Sequence, residues 1–391
     1  MNKKTGKSKS AQPKNSTRAM SRRKFLTATA ASVGGAATIG FPGIVKAAVT
    51  NFRFQSTWPT KDIFHEYALD FAKKVNDMTG GELKIEVLPA GAVVPAFGLL
   101  DAVSKGTLDG GHGVLVYHYG KQNALALWGS SPAFGMDANM MLSWHKYGGG
   151  KALLEKVFKA IDANVVSFPY GPMPTQPLGW FKKPITKVTD FKGLKFRTVG
   201  ISIDLFTGLG AAVNALPGGE IVPAMDRGLL DAAEFNNASS DRLLGFADVS
   251  KVYMLQSYHQ NAEQFEISFN KTKFDALPAN IRAIIENAVE ASSQDMSWKA
   301  IDRYSQDYIG LQTKDKVKVY KTPDSVLQKQ LDIFDGVIAK YSAANPLFKE
   351  VLESQRKFAE RAVRWQLDTQ LSGRMAYNHY FGRKKPAAKK G

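Results

Sequence analysis

The chain has 391 residues and a formal charge of +17, but ten basic and no acidic side chains fall in residues 1–47 and five more basic ones in residues 383–391. The stretch between them carries 37 basic against 35 acidic side chains, with no stripe of Lys and Arg interleaved with aromatics, so nucleic acid is excluded as a partner. Cysteine is absent, which removes disulfides, thiolate nucleophiles, iron–sulfur clusters and Cys-ligated zinc.

At the N-terminus, Arg22 and Arg23 stand before Phe25 and Leu26, and a weakly apolar run from Thr27 to Ile44 follows. Val45 and Ala47 then place small residues at the two positions a signal peptidase reads. The run is too polar and too short for a comfortable membrane span. It is read as a twin-arginine signal peptide over 1–47, cleaved after Ala47, which sends the protein to the periplasm. That pathway carries folded cargo, often with a redox cofactor, and so keeps an exported enzyme in contention. Against it, Gly208 and Gly210 start a dinucleotide fingerprint that lacks its third small position, and Lys151 is followed by Ala152 instead of the Ser or Thr of a P-loop.

The body is too long for one core and suits two lobes. Phe52 and Phe54 alternate with Arg53 and Gln55 in a short strand. Ile63, Tyr67, Phe71, Val75 and Met78 recur at helical spacing until Gly80 and Gly81 stop the run. Leu83, Ile85 and Val87 form a half-buried strand, residues 95–105 a helix, 110–117 a strand, 151–162 a helix and 165–170 a strand. This alternation predicts α/β lobes with helices covering mostly parallel sheets.

An internal echo supports two lobes. Leu88 to Ala96 resembles Leu216 to Ala224, and Ala102 to Asp109 resembles Ala224 to Asp231; the second copy is six residues shorter between block starts. In both copies a short helix ends on a basic residue and a Gly suited to the left-handed cap, and a Leu-Asp step leads into the next strand. Farther on, residues 279–313, 325–341 and 347–371 read as long helices.

Three segments could hold a carboxylate. Gln176 sits among Pro and Gly in a crossing between lobes; Arg197 ends a short strand; Glu234, Phe235, Asn236 and Asn237 follow the buried pair Ala232 and Ala233. A guanidinium matches a carboxylate with two parallel hydrogen bonds. Each residue also has a plainer reading: a solvated Gln, a surface Arg of little energetic weight, a Glu234 that simply pairs with Arg197. Grouped at strand ends around one cleft, they make a site, because open α/β sheets bind ligands there.

From Phe52 to about Tyr380 the chain resembles the solute receptors of tripartite ATP-independent periplasmic (TRAP) transporters. The resemblance rests on Trp58 with Pro59 and Thr60, the Gly80-to-Val87 segment, Gly106 to Asp109, Gly179 to Phe181, Asp190 to Arg197 and Gly228 to Glu234. It implies a two-lobed periplasmic binding protein with a hinged cleft and long C-terminal helices. Lobe I would take 48–173 with 258–300, lobe II 174–257 with 301–345, followed by a C-terminal helix over 346–382 as a candidate homodimer arm and a disordered basic tail over 383–391. Within the family the chain is similar to receptors for 2-oxo and 2-hydroxy monocarboxylates. There the residue matching Arg197 grips the carboxylate, and those matching Gln176 and Glu234 bind a metal ion, Na⁺ or Ca²⁺, that also touches the ligand. The main-chain carbonyl of Phe235, at a position where the family usually has Trp, would complete that ion's ligands. Trp58, Tyr117 and Asn236 are the remaining ligand-contact candidates, and the partners implied are a small carboxylate and integral-membrane permease subunits. The alternatives are an exported enzyme acting on small organic acids, for which Glu234 is the one candidate base, and an adaptor that uses its C-terminal helices for assembly.

Overall fold

Strand and helix alternate from the beginning of the computed structural model, which describes residues 49–382. The expected export leader, its expected cleavage point and the basic tail lie outside these residues. β1 (Thr50–Ser56) leads to a helix, Ile63–Met78, whose first turn is capped by Asp62 accepting from the Phe64 amide at 3.1 Å. Its apolar stripe, Ile63, Phe64, Tyr67, Phe71 and Val75, is buried. β2 (Leu83–Leu88), a short helix Leu99–Ser104 and β3 (Gly110–Gly113) complete a βαβαβ unit. β3 stops four residues short of the predicted end, because Leu115–His118 winds into a 3₁₀ turn.

After two helices, Ala138–Tyr147 and Gly150–Lys159, β4 (Val165–Pro172) runs to the first crossing. β5 (Gly179–Phe181), β6 (Lys195–Arg197), β7 (Ala212–Asn214), β8 (Ala232–Ala233) and β9 (Val252–Leu255) follow, and a second crossing leads to β10 (Gln264–Asn270). β11 (Lys318–Lys321) closes the set.

These strands form two sheets, β2-β1-β3-β10-β4 and β11-β9-β5-β8-β6-β7. In the first, β1 pairs parallel with both β2 and β3; in the second, β6 pairs parallel with both β7 and β8. The echo in the sequence is therefore a repeated unit whose first strand sits centrally, and Gly106 (φ +76°) and Gly228 (φ +70°) occupy its matching left-handed positions. The sheets are mixed, not mostly parallel. β10 runs antiparallel to β3 and β4, and β5 antiparallel to β8 and β9, since a strand arriving from the other lobe enters reversed.

The helix Ala279–Thr313 packs against the Ile63–Met78 helix and β4, and also against the helix Ala238–Leu244 beside the second sheet. It passes unbroken through the boundary expected at residue 300, so a third connection joins the two halves. Asp324–Ala344 and Pro346–Thr369 follow. The last helix does not continue to residue 382: Gln370 turns extended, and Ser372 caps a separate short helix, Gly373–Tyr377. Trp365 and Leu367 in its last turns, and Leu371 just beyond its end, are exposed.

Candidate functional site

The central strands of the two units deliver their ends to one small cleft between buried side chains. From the first lobe come Trp58, Phe64, Val114 and Tyr117; from the second, Arg197, Val199, Glu234, Phe235 and Asn236; from the crossings, Met173, Gln176, Gln260 and Glu263. The crossings lie side by side, with the Met173 amide donating to Glu263 O at 2.9 Å and the Gln176 amide to Gln260 O at 3.3 Å.

Arg197 is 1% exposed. Its Nε donates to Leu216 O at 2.8 Å, and its Nη1 to Glu234 Oε1 at 2.7 Å and to the Glu234 carbonyl at 3.2 Å. The plainer reading, that the two side chains pair, is thus geometrically correct, and it leaves half of each group over. Arg197 Nη2 and Glu234 Oε2 are buried without a hydrogen-bond partner. His259 Nε2 stands 3.6 Å from Glu234 Oε2.

The crossings add amides. Gln176 Nε2 donates to Glu263 Oε2 at 2.6 Å and Gln260 Nε2 donates to the same oxygen at 3.0 Å, while Gln176 Oε1, Gln260 Oε1 and Glu263 Oε1 have no partner. Burial, reinforced by the charge on Glu234, pushes the Glu263 carboxyl up to about 8 against the opposing pull of Arg197. Unsatisfied buried polar atoms are costly. Their concentration around one cavity marks a place built for something else to bind.

The first-lobe wall is aromatic. Trp58 packs edge-on to Phe64 (5.0 Å) and lies 5.8 Å from the Tyr117 ring and 6.4 Å from Phe235. Trp58 Nε1 donates to His112 Nδ1 at 2.8 Å, so His112 carries its proton on Nε2 and donates it to Tyr170 OH at 2.5 Å. Burial pulls His112 down to about 3, keeping it neutral, and raises Tyr117 to about 12.

The seven residues singled out from the sequence all line this cavity, with differing freedom. Asn236 is already engaged: its Nδ2 meets Met173 Sδ at 3.0 Å and its Oδ1 accepts from Asn237. Phe235 lies with its ring 5.7 Å from the Arg197 guanidinium carbon. Sequence reasoning missed Gln260 and Glu263. The signal was present in residues 256–264, a run dense in Gln, Asn and Glu leading into an apolar strand.

Among the described residues no three His, Asp or Glu side chains gather as a metal centre. The unpaired oxygens of Gln176, Glu234, Gln260 and Glu263 instead form a mixed carboxylate and amide set, which suits a hard cation such as Na⁺ or Ca²⁺. The leftover guanidinium nitrogen suits a carboxylate.

Residues 54–344 match the bacterial extracellular solute-binding protein family 7, DctP. The monocarboxylate 2-oxoacid-binding periplasmic protein of Nostoc sp. is 31% identical over 359 residues, covering 90% of this chain and 98% of that protein. Among solved structures, a TRAP solute-binding protein of Bordetella bronchiseptica, a dimer with calcium and picolinate in one active site, superposes with a TM-score of 0.79 at 28% identity, covering 85% of this chain and 97% of that one. A TRAP solute-binding protein of Pseudoalteromonas atlantica with bound sodium and pyruvate gives 0.78 at 28% identity, covering 85% and 99%.

Proposed function

The chain belongs to the bacterial extracellular solute-binding proteins of family 7, and we propose that it captures a 2-oxo or 2-hydroxy monocarboxylate together with a hard metal ion. It is a solute receptor of the TRAP type, working outside the cytoplasm with membrane permease subunits, and not the exported enzyme or the adaptor that the sequence left open. The supporting observation is one cleft lined by Arg197, whose Nη2 has no partner, and by Gln176, Glu234, Gln260 and Glu263, each with an unpaired side-chain oxygen.

In this reading the ligand carboxylate takes the free edge of the Arg197 guanidinium. Glu234 and Gln176 hold the ion through their side chains, and Phe235 through its main-chain carbonyl. The bound ion supplies positive charge that neutralises Glu234, which would otherwise repel an anion beside it. Trp58, Phe64 and Tyr117 exclude water and set the pocket's size, with Asn236 shaping its far side. The lobes, 48–173 with 258–300 and 174–257 with 301–345, close on the ligand by bending the crossings. The closed form is what the permease reads.

The test is a thermal-shift screen of chelator-stripped protein against pyruvate, lactate and longer 2-oxo acids, each with and without Na⁺ or Ca²⁺. A ligand of the closed state raises Tm by mass action, and the largest rise is expected with acid and ion together. No rise with any of these acids, or their turnover, would overturn the reading. Export by the twin-arginine route is part of the same proposal, and N-terminal sequencing of periplasmic protein is expected to begin at Ala48.

A further inference from the structure

At the end of the helix Pro346–Thr369 the chain changes character. Every residue from Leu367 to Gly382 is exposed. Leu371, Met375, Tyr377, Tyr380 and Phe381 are between 63% and 91% exposed, a density of open apolar side chains that marks an interaction site. The Gly373–Tyr377 helix and the turn Asn378–Gly382 wind the last four of them into one short element. Within it the rings pack on one another, Tyr377 and Phe381 with centroids 5.1 Å apart and Tyr380 and Phe381 6.4 Å apart.

Charge changes at the same point. Asp368 is the last acidic residue of the chain, and Arg374, Arg383, Lys384, Lys385, Lys389 and Lys390 follow it. An exposed aromatic element thus holds one basic residue and runs directly into five more.

We infer that this segment docks the receptor on a membrane surface rich in anionic phospholipid, with Met375, Tyr377, Tyr380 and Phe381 entering the headgroup layer and the basic residues lying against lipid phosphates. Charge favours that occupant over a second copy of the chain. An anionic bilayer attracts a polybasic segment by about fivefold in affinity for each Lys or Arg at its surface. Residues 48–382, whose basic and acidic side chains are nearly balanced, offer no comparable excess of acid for six cations to meet. Side-chain type agrees, since tyrosine joins an apolar ring to a polar tip and suits the boundary between water and hydrocarbon. Among the described residues no helix is long and apolar enough to cross a membrane, so the contact is shallow. One weak signal gives marginal, reversible binding and two together hold, which is why the rings and the basic run act as a pair. Docking keeps the receptor on the surface where its permease lies and raises its effective concentration there.

Flotation of the exported chain with lipid vesicles decides it. Binding is expected to phosphatidylglycerol-rich vesicles and not to pure phosphatidylcholine, and it should vanish near about 1 M salt, where the Debye length falls to about 3 Å. Lys384→Ala, Lys385→Ala, Lys389→Ala and Lys390→Ala combined should weaken it by roughly 100-fold or more. Tyr380→Ser with Phe381→Ser leaves every charge in place and should weaken it by about tenfold or more. An unchanged Tm in each variant shows that the fold is intact. Sedimentation velocity on the same proteins identifies the other occupant: a dimer that Tyr380→Ser with Phe381→Ser dissolves, without vesicle binding in the unmodified chain, would assign the segment to a second copy and overturn the proposal. Equal binding to neutral and anionic vesicles, binding to neither, or binding indifferent to both sets of substitutions would overturn it as well. These outcomes are independent of which acid or ion the cleft holds, so they leave the receptor reading untouched.

Discussion

The two walls of the cavity are built from the same βαβαβ unit and carry opposite chemistry. The first-lobe wall is neutral and satisfied: Trp58 is tied to His112, His112 to Tyr170, and none of the lining residues Trp58, Phe64, Val114 and Tyr117 has an unpaired buried polar atom. The second-lobe wall is charged and unsatisfied, with Arg197 and Glu234 each spending one atom on the other and keeping one free. A repeated fold thus separates recognition from enclosure. The charged wall should meet the ligand first, and the aromatic wall should close over what it holds.

The hardest way to break that division is to remove the guanidinium. Arg197→Ala is expected to cost roughly 2–5 kcal/mol of acid affinity, much of it from leaving the ligand carboxylate and Glu234 without a partner. Because deleting half of a buried ion pair also destabilises the fold, Arg197→Lys serves as companion: it keeps the charge, loses the fork, and should bind at an intermediate level. Titration calorimetry giving wild-type affinity in a folded Arg197→Ala protein would place recognition elsewhere.

The neutral wall should respond differently. His112→Phe keeps ring volume but strands Trp58 Nε1 and Tyr170 OH, at about 1–3 kcal/mol of stability for each buried group left unpaired. Acid affinity should fall by less than about tenfold, roughly 1.4 kcal/mol, since Trp58 shapes the pocket without holding charge. Urea denaturation and calorimetry on the same protein separate the two effects. An affinity loss as large as that of Arg197→Ala would erase the distinction between the walls.

This asymmetry also explains what could be read in the sequence. Arg197 and Glu234 were visible because each ends a strand with a local pattern, Phe196 before one and Ala232 with Ala233 before the other. The repeat was visible because it recurs within single segments. Glu263 was not, because its meaning depends on Gln176, 87 positions away, and on a crossing that only the folded chain brings alongside. The reversed strands β5 and β10 escaped for the same reason: direction within a sheet is set by which lobe a segment has left, and alternation of apolar residues carries no sign of it. The last helix was read too long because residues 374–382 can also wind helically, while the break that separates them, an extended Gln370 followed by the Ser372 cap, lies in the backbone.

A smaller effect lies where the walls meet behind the cavity. Asp62, ahead of the first-lobe helix, accepts from Ser240 Oγ of the second lobe at 2.7 Å, while its Oδ2 has no partner. Asp241 stands next to Ser240 and accepts from Trp180 Nε1 and the Asn236 amide, and Lys61 reaches across to Leu244 O at 3.1 Å. Burial pushes both Asp62 and Asp241 up from 3.8 to about 7. The folded chain therefore holds protons that the unfolded chain has released, so their stabilising contribution is full below pH 3.8 and lost as pH rises through about 7. Between about pH 5 and 6 each such proton makes the unfolding free energy fall by about 1.4 kcal/mol. Asp62→Asn should remove one proton's share of that slope in urea denaturation across the interval, with little change in acid affinity. An identical slope in variant and wild type would mean that Asp62 stays ionised beside Lys61, and the neutral seam between the walls would then be a charged one.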